Sequence, residues 1–257
     1  MKVKFFVLGT GSVDSVPRWG CECNICSKVK SDATLKREAC SGLLTIENNG
    51  TVKNILLDAG LQNIEERFDR DSIDAIVITH FHPDHVQGLL PIRWASGKNI
   101  PVYCVNDTNG FGDLYKNNGI LNFIKLDTPF EAFLISGIEF IPVTLSHSKP
   151  TFGYVIKYNG AVLSYLCDTG KLPDKTLKYL KDFNKIDCCI IDCSFPPDHT
   201  NKNHCNVLEA LDVYYALEPD IMCFSHISHD LDLWLESGNS VPAGILIPKD
   251  YQLIYEF

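Results

Sequence analysis

Apolar residues in this chain gather in short runs rich in Val, Ile and Phe, set apart by Gly, Pro, Asn and Asp. Runs of this kind predict β-strands, here at 3–8, 42–47, 53–58, 73–79, 102–105, 138–145, 152–158, 161–166, 186–192, 221–224 and 251–257. Asn159-Gly160, between two of them, predicts a hairpin with a type I′ turn. Helical patterns are fewer, at 63–68, 83–94, 174–183, 207–217 and 231–237. Strands outnumber helices and hairpins are present. That predicts two mixed sheets packed together with helices outside, an α/β (α+β) arrangement, not a doubly wound parallel sheet. No repeat, low-complexity tract or linker interrupts the pattern, so one domain over 1–257 is expected.

Composition sets limits on this picture. A 257-residue chain that is 45% hydrophobic and 21% charged is of ordinary soluble globular type. No apolar run nears the roughly 20 residues that span a bilayer, so no membrane association is expected. The segment Met1-Lys2-Val3-Lys4-Phe5-Phe6-Val7 is too short, and too soon cut by Gly9, for a signal peptide, and reads as a first strand. A net charge of −9 argues against a nucleic-acid-coating surface. Eleven cysteines form no disulfide-scaffold pattern, which points to a reducing cytoplasm. Cys104, Cys188, Cys189 and Cys223 lie within apolar strands and read as small buried hydrophobes.

The densest chemistry follows the run at 73–79, in His80-Phe81-His82-Pro83-Asp84-His85. Imidazole beside carboxylate suits zinc, manganese or iron. In an extended segment His80 and His82 point to one side. Pro83 suits a first helical turn, so Asp84 and His85 sit at a helix start and can turn toward a second ion. Three more ligand-type residues stand at or just past strand ends: His147, Asp168 and His226. Strand ends are where rigid scaffolds present functional groups.

The sequence His-x-His-x-Asp-His, then His, Asp and His in that order, resembles the metallo-β-lactamase superfamily. That resemblance implies a four-layer αββα sandwich with a two-metal centre at one edge of the sheets. It also implies that His80, His82 and His147 hold one ion, that Asp84, His85 and His226 hold the other, and that Asp168 bridges them.

Cys21-Glu22-Cys23-Asn24-Ile25-Cys26 is an independent signal, since C-x-C-x-x-C is a common start for a closed tetrahedral zinc site. The fourth ligand expected is His229. It lies three residues past His226, an odd spacing that in extended chain sends the two rings to opposite sides. Surface thiols are the plain alternative. A redox C-x-x-C role lacks a thioredoxin-like βαβ context.

With this cluster the chain resembles the PhnP family, phosphoribosyl cyclic phosphate phosphodiesterases of the carbon–phosphorus lyase pathway. The likeness runs nearly end to end, through Trp19-Gly20-Cys21-Glu22-Cys23, Cys40-Ser41-Gly42, Asp58-Ala59-Gly60-Leu61, His147-Ser148-Lys149, Asn203-His204-Cys205 and Ser225-His226-Ile227-Ser228-His229. It implies two active-site divalent ions (Mn2+ or Zn2+), one structural Zn2+, a small-molecule phosphodiester substrate and a homodimer. The segment 106–119 is where this chain differs, and where substrate range can change.

A pair of ions can activate water and clamp a phosphodiester oxygen. Ring opening leaves a sugar oxygen that needs a proton. His204 is the candidate for that proton or for binding the transition state, because imidazoles titrate near neutrality. The resemblance likewise makes it a residue on which catalysis depends. Asp84 is expected to join in proton transfer, and Lys149, Arg93 and Ser194 are weaker candidates for phosphate contact, with a solvated or structural ion pair an equal alternative for Arg93. His199 has no assigned role. Two other functions compete. A tRNA 3′ processing nuclease lacks support, since no basic Gly/Pro-rich arm is inserted. A PqqB-like carrier would not need the full active-site set. Elemental analysis after gentle purification is expected to find about one tightly held zinc and up to two exchangeable ions. A chelator-resistant metal content of zero would remove the structural site.

Overall fold

The computed structural model describes residues 1–257. A first sheet collects β1 (Lys2–Gly9), β2 (Ser41–Asn48), β3 (Thr51–Leu57), β4 (Ile73–Ile78), β5 (Ile100–Val105) and β6 (Leu121–Leu126). A second collects β7 (Phe133–Ile135), β8 (Ile138–Thr144), β9 (Phe152–Tyr158), β10 (Ala161–Leu166), β11 (Cys188–Asp192), β12 (Ile221–Ser225) and β13 (Ile245–Leu246). The chain then returns to the first sheet with β14 (Gln252–Glu256), which pairs antiparallel with β1. The orders are β14-β1-β2-β3-β4-β5-β6 and β13-β12-β11-β10-β9-β8-β7. In each sheet an antiparallel half meets a parallel half, at β3/β4 and at β10/β11. With helices on the outer faces this is the expected αββα sandwich of two mixed sheets.

Side-chain alternation explains why the strands of the second sheet read as unbroken apolar runs. Phe140, Tyr154, Ile156, Leu163, Tyr165, Cys188, Ile190 and Cys223 join the large core shared with the first sheet. Their neighbours Ile141, Val143, Val155, Val162, Cys189, Ile191, Met222 and Phe224 pack on the other side against helix residues Leu180, Val207, Ala210, Val213 and Leu231. Cys188 and Cys189 thus serve opposite faces, as a period of two requires. Asn159-Gly160 forms the expected tight turn, with φ of 49° and 86°. Asn49-Gly50 and Ser136-Gly137 repeat it without having been recognised in the sequence.

The helices depart from expectation in four places. The span 83–94 is two short helices, α2 (Pro83–Val86) and α3 (Leu89–Ile92), not one. Gly88 causes the break: its N–H donates to the Ala59 carbonyl at 2.8 Å, and a Cβ there would stand 2.7 Å from the Leu61 carbonyl oxygen. Residues 63–68 hold only a 3₁₀ turn, Ile64–Glu66. Two short helices lie outside the sequence pattern, α1 (Asn24–Val29), with Cys23 as its N-cap, and α4 (Gly112–Lys116). The remaining helices are Asp174–Lys181, Val207–Leu217 and His229–Glu236. None is long and apolar enough to cross a membrane.

Gly60 seats α2 on the end of β3. A Cβ at Gly60 would lie 2.0 Å from the Asp84 carbonyl oxygen and 2.7 Å from that of Cys40. Neither backbone atom can yield without moving Asp84. Overpacking of this kind costs about 1–3 kcal/mol. Gly60→Ala is therefore expected to lower the melting temperature by roughly 2–12 °C. Unchanged melting would show that the backbone approach is not fixed.

Candidate metal centre

The chain ends of β4, β8, β10 and β12 gather at one edge of the sandwich, and the ligand-type residues follow them. His80 Nε2 and His147 Nε2 each lie 2.9 Å from His82 Nδ1. Asp168 Oδ2 lies 3.4 Å from His80 Nε2 and 3.6 Å from His147 Nε2. Its other oxygen, Oδ1, lies 3.2 Å from both His85 Nε2 and His226 Nε2. Asp84 Oδ2 completes that second group, 3.5 Å from His226 Nε2 and 3.7 Å from His85 Nε2. Bonds of about 2.0–2.1 Å to a shared ion put ligands roughly 2.9–3.5 Å apart. The separations, 2.9 to 3.7 Å, lie at or just above that spacing, with one carboxylate oxygen of Asp168 facing each group. Buried Asp168 Oδ1, His85 Nε2 and His226 Nε2 have no hydrogen-bond partner in the protein, as a cation-binding cluster requires.

The far side of each ring is held. His85 Nδ1 meets Asp58 Oδ2 at 2.9 Å. His80 Nδ1 meets Thr79 Oγ1 at 3.0 Å, and that hydroxyl donates to Asp58. His147 Nδ1 donates to the Asn203 carbonyl at 3.0 Å. His226 Nδ1 lies 2.9 Å from Ser194 Oγ, which donates to Asp192 Oδ1 at 2.8 Å. These contacts fix ring orientation and leave the opposing nitrogen free for a metal. Asp58, Thr79 and Asp192 were missed in the sequence. The signal for Asp58 and Asp192 was the same one that exposed Asp168, a carboxylate closing an apolar strand.

Electrostatics divide the two groups. Burial, reinforced by neighbouring imidazoles, lowers the pKa of His80, His82 and His147, that of His82 to about 4. These rings are neutral and ready to ligate. Burial also opposes charge on His85 and His226, but Asp168, with Asp58 for His85 and Asp84 for His226, outweighs it and raises both, His226 to about 10. Asp168 is held well below the carboxylate range by His226 and His85 against its burial.

His204 stands beside the ligands. Its Nδ1 donates to Asp192 Oδ2 at 2.8 Å, and its ring stacks on His226 at 4.8 Å and 7°. The cap of the helix Val207–Leu217 is Asn206, in a capping box with Glu209, so the His204 ring is not used for it. His204 is 19% exposed, so its outer edge is open to a ligand.

The three candidates for phosphate contact each have partners within the protein. Ser194 is buried and committed to His226 and Asp192. Arg93 pairs with Asp113 at 2.6 Å and stacks on Trp94. Lys149 Nζ sits 3.5 Å from the Gly110 carbonyl and 3.7 Å from Asp107 Oδ2, so it ties the 106–119 segment to the His147 loop. His199 stacks on Phe195 at 3.9 Å.

The second cluster is Cys21, Cys23, Cys26 and His229. His229 Nε2 lies 3.4 Å from Cys21 Sγ and 3.3 Å from Cys23 Sγ, near the spacing set by zinc bonds of about 2.3 Å to sulfur and 2.0 Å to nitrogen. The Cys26 backbone N–H, with help from His229, lowers the Cys23 thiol to about 6, while burial raises Cys26 to about 11. His229 does diverge from His226, but not through extended chain. His226 is left-handed at φ 56°, and His229 opens a helix capped by Ser228.

Comparison with known proteins agrees with this architecture. The Beta-lactamase superfamily domain matches residues 53–227. A diphosphatase from the PhnP family superposes with a TM-score of 0.78 at 27% identity, over 100% of this chain and 98% of its own. Zn2+-bound PqqB from Methylobacterium extorquens gives 0.75 at 18% identity, over 99% and 100%. Human tRNase Z, short form, gives 0.64 at 17%, over 99% of each. The octanoyltransferase of Porphyromonas gingivalis is 24% identical over 95% of this chain, which spans about half (49%) of that protein's length.

Two outcomes follow from the geometry. His85 and His226 carry protons in the metal-free protein at neutral pH and must release them to ligate. Calorimetry in buffers of differing ionisation enthalpy should therefore register net proton release on metal binding, with affinity falling from pH 8 to pH 6. Proton uptake would contradict the assignment. Cys23→Ser should lose zinc and melt lower, because a structural zinc contributes folding energy directly; wild-type zinc content and melting would dismiss the closed site.

Proposed function

The chain belongs to the β-lactamase superfamily, and from that premise we propose that it is a two-metal phosphodiesterase that opens a sugar cyclic phosphate. The substrate that the PhnP resemblance favours is 5-phosphoribosyl 1,2-cyclic phosphate, giving ribose 1,5-bisphosphate. His80, His82 and His147 would hold one ion, and Asp84, His85 and His226 the other, with Asp168 between them. Cys21, Cys23, Cys26 and His229 would hold a zinc apart from the chemistry. When bound, the active-site pair supplies Lewis-acid stabilisation of the phosphoryl group and activation of water.

The observation that carries the reading is the His204–Asp192 pair. A sixth imidazole lies against the ligand rings without belonging to either group. Donation of Nδ1–H to buried Asp192 fixes the ring's tautomer and orientation and leaves Nε2 as the nitrogen for proton transfer. A sugar alkoxide leaves poorly unless protonated, and an open-edged imidazole is suited to that step. The net charge of −9 disfavours a polyanionic nucleic acid as substrate.

His204→Ala should slow hydrolysis of an alkyl or sugar phosphodiester by about 10²–10⁴. The loss should shrink for a nitrophenyl ester, whose leaving group departs without a proton, and metal content should not change. An equal loss on both substrates would make His204 a positioning group. The likeness to PqqB favours a second reading, a non-catalytic carrier. Turnover of bis(nitrophenyl) phosphate that stops on chelation would separate the two, and a panel that includes cyclic phosphates and diphosphates would narrow the substrate.

A further inference from the structure

Cys40 and Cys167 lie directly behind the ligand cluster and take no part in it. Their sulfurs are 3.3 Å apart, both buried, one just before β2 in the first sheet and the other just after β10 in the second. Cys40 Sγ also lies 3.4 Å from Tyr165 Oη and 3.6 Å from Ser225 Oγ. Each contact leads to the ligands. Cys167 immediately precedes Asp168, Ser225 immediately precedes His226, and Tyr165 Oη reaches Asp58, the carboxylate that holds His85. The other buried thiols of the second sheet, Cys188, Cys189 and Cys223, are packing residues by comparison.

We propose that Cys40 and Cys167 are an oxidisable dithiol whose closure to a disulfide loosens the metal position formed by Asp84, Asp168, His85 and His226. A peroxide supplies the oxidant. One sulfur attacks a peroxide oxygen, the S–O bond forms as the O–O bond breaks, and water leaves. The second sulfur attacks the sulfenic sulfur, the S–S bond forms as S–O breaks, and a second water leaves. Two thiols give up two electrons and two protons, and one peroxide becomes two waters. A disulfide needs sulfurs about 2.05 Å apart, so they must close by roughly 1.2–1.3 Å. The backbone of Cys167 carries that movement into Asp168, which faces both metal groups.

The test is exposure of the metal-loaded protein to hydrogen peroxide, followed by alkylation, digestion and mass spectrometry, with metal analysis of the same samples. A Cys40–Cys167 cross-linked peptide is expected, together with loss of an exchangeable ion, and dithiothreitol should reverse the cross-link. Cys167→Ser, and separately Cys40→Ala, should keep their exchangeable ions under the same exposure. If the thiols of 21–26 oxidise while no Cys40–Cys167 cross-link forms, the proposal fails. It also fails if either folded variant sheds metal as fast as the unaltered protein. Both readouts are independent of substrate, so a negative result leaves the phosphodiesterase reading untouched.

Discussion

Asp58 lies fully buried at the end of β3, and its carboxylate gathers the backbone N–H and hydroxyl of Thr79 together with the Nδ1 of His85. A carboxylate with no water must be compensated by hydrogen bonds and opposite charge. Burial pushes its pKa upward while His85 draws it down. The contacts that make the buried charge tolerable are also the ones that aim His85, directly, and His80, through Thr79, at the metal positions. Stability and ligand geometry thus rest on one group. Removing it would free two rings and leave several buried donors without acceptors.

Three residues around this centre adopt left-handed backbone after a strand: Asp58 at φ 60°, Asp168 at 61° and His226 at 56°. None is glycine, so each conformation costs on the order of 1–3 kcal/mol unless its surroundings hold it. The surroundings do so here. Asp58 is pinned by Thr79 and His85, Asp168 sits between two sets of imidazoles, and the Nδ1 of His226 is engaged by Ser194. The left-handed turn swings each side chain off the strand axis and into the cluster.

Ligands that are adjacent in sequence were legible in it. His80 to His85 and Cys21 to Cys26 declare themselves by density, and His147, Asp168 and His226 by standing after apolar runs. The orienting groups were not, because Asp58 or Asp192 at a strand end has the same local pattern as any polar residue that closes a strand. Ser194 and Arg93 looked available for phosphate because sequence carries no record of burial or of a distant partner such as Asp113. The sandwich itself followed from strand count and hairpin chemistry. The break at Gly88 did not, since it depends on the backbone of residues 59–61. Strands β6, β7 and β13 escaped notice because they are polar-interrupted or only two or three residues long.

The cluster of Cys21, Cys23, Cys26 and His229 joins parts of the chain 208 residues apart, Cys21 and His229. At 5–20 residues per second, a ribosome takes about 10–40 s to deliver the histidine after the first cysteine. Throughout that interval the three sulfurs have no fourth ligand and no α-helical partner at 229–236 to cover them. The emerging chain therefore holds three uncovered thiols through most of its synthesis, before it has a fold to shield them.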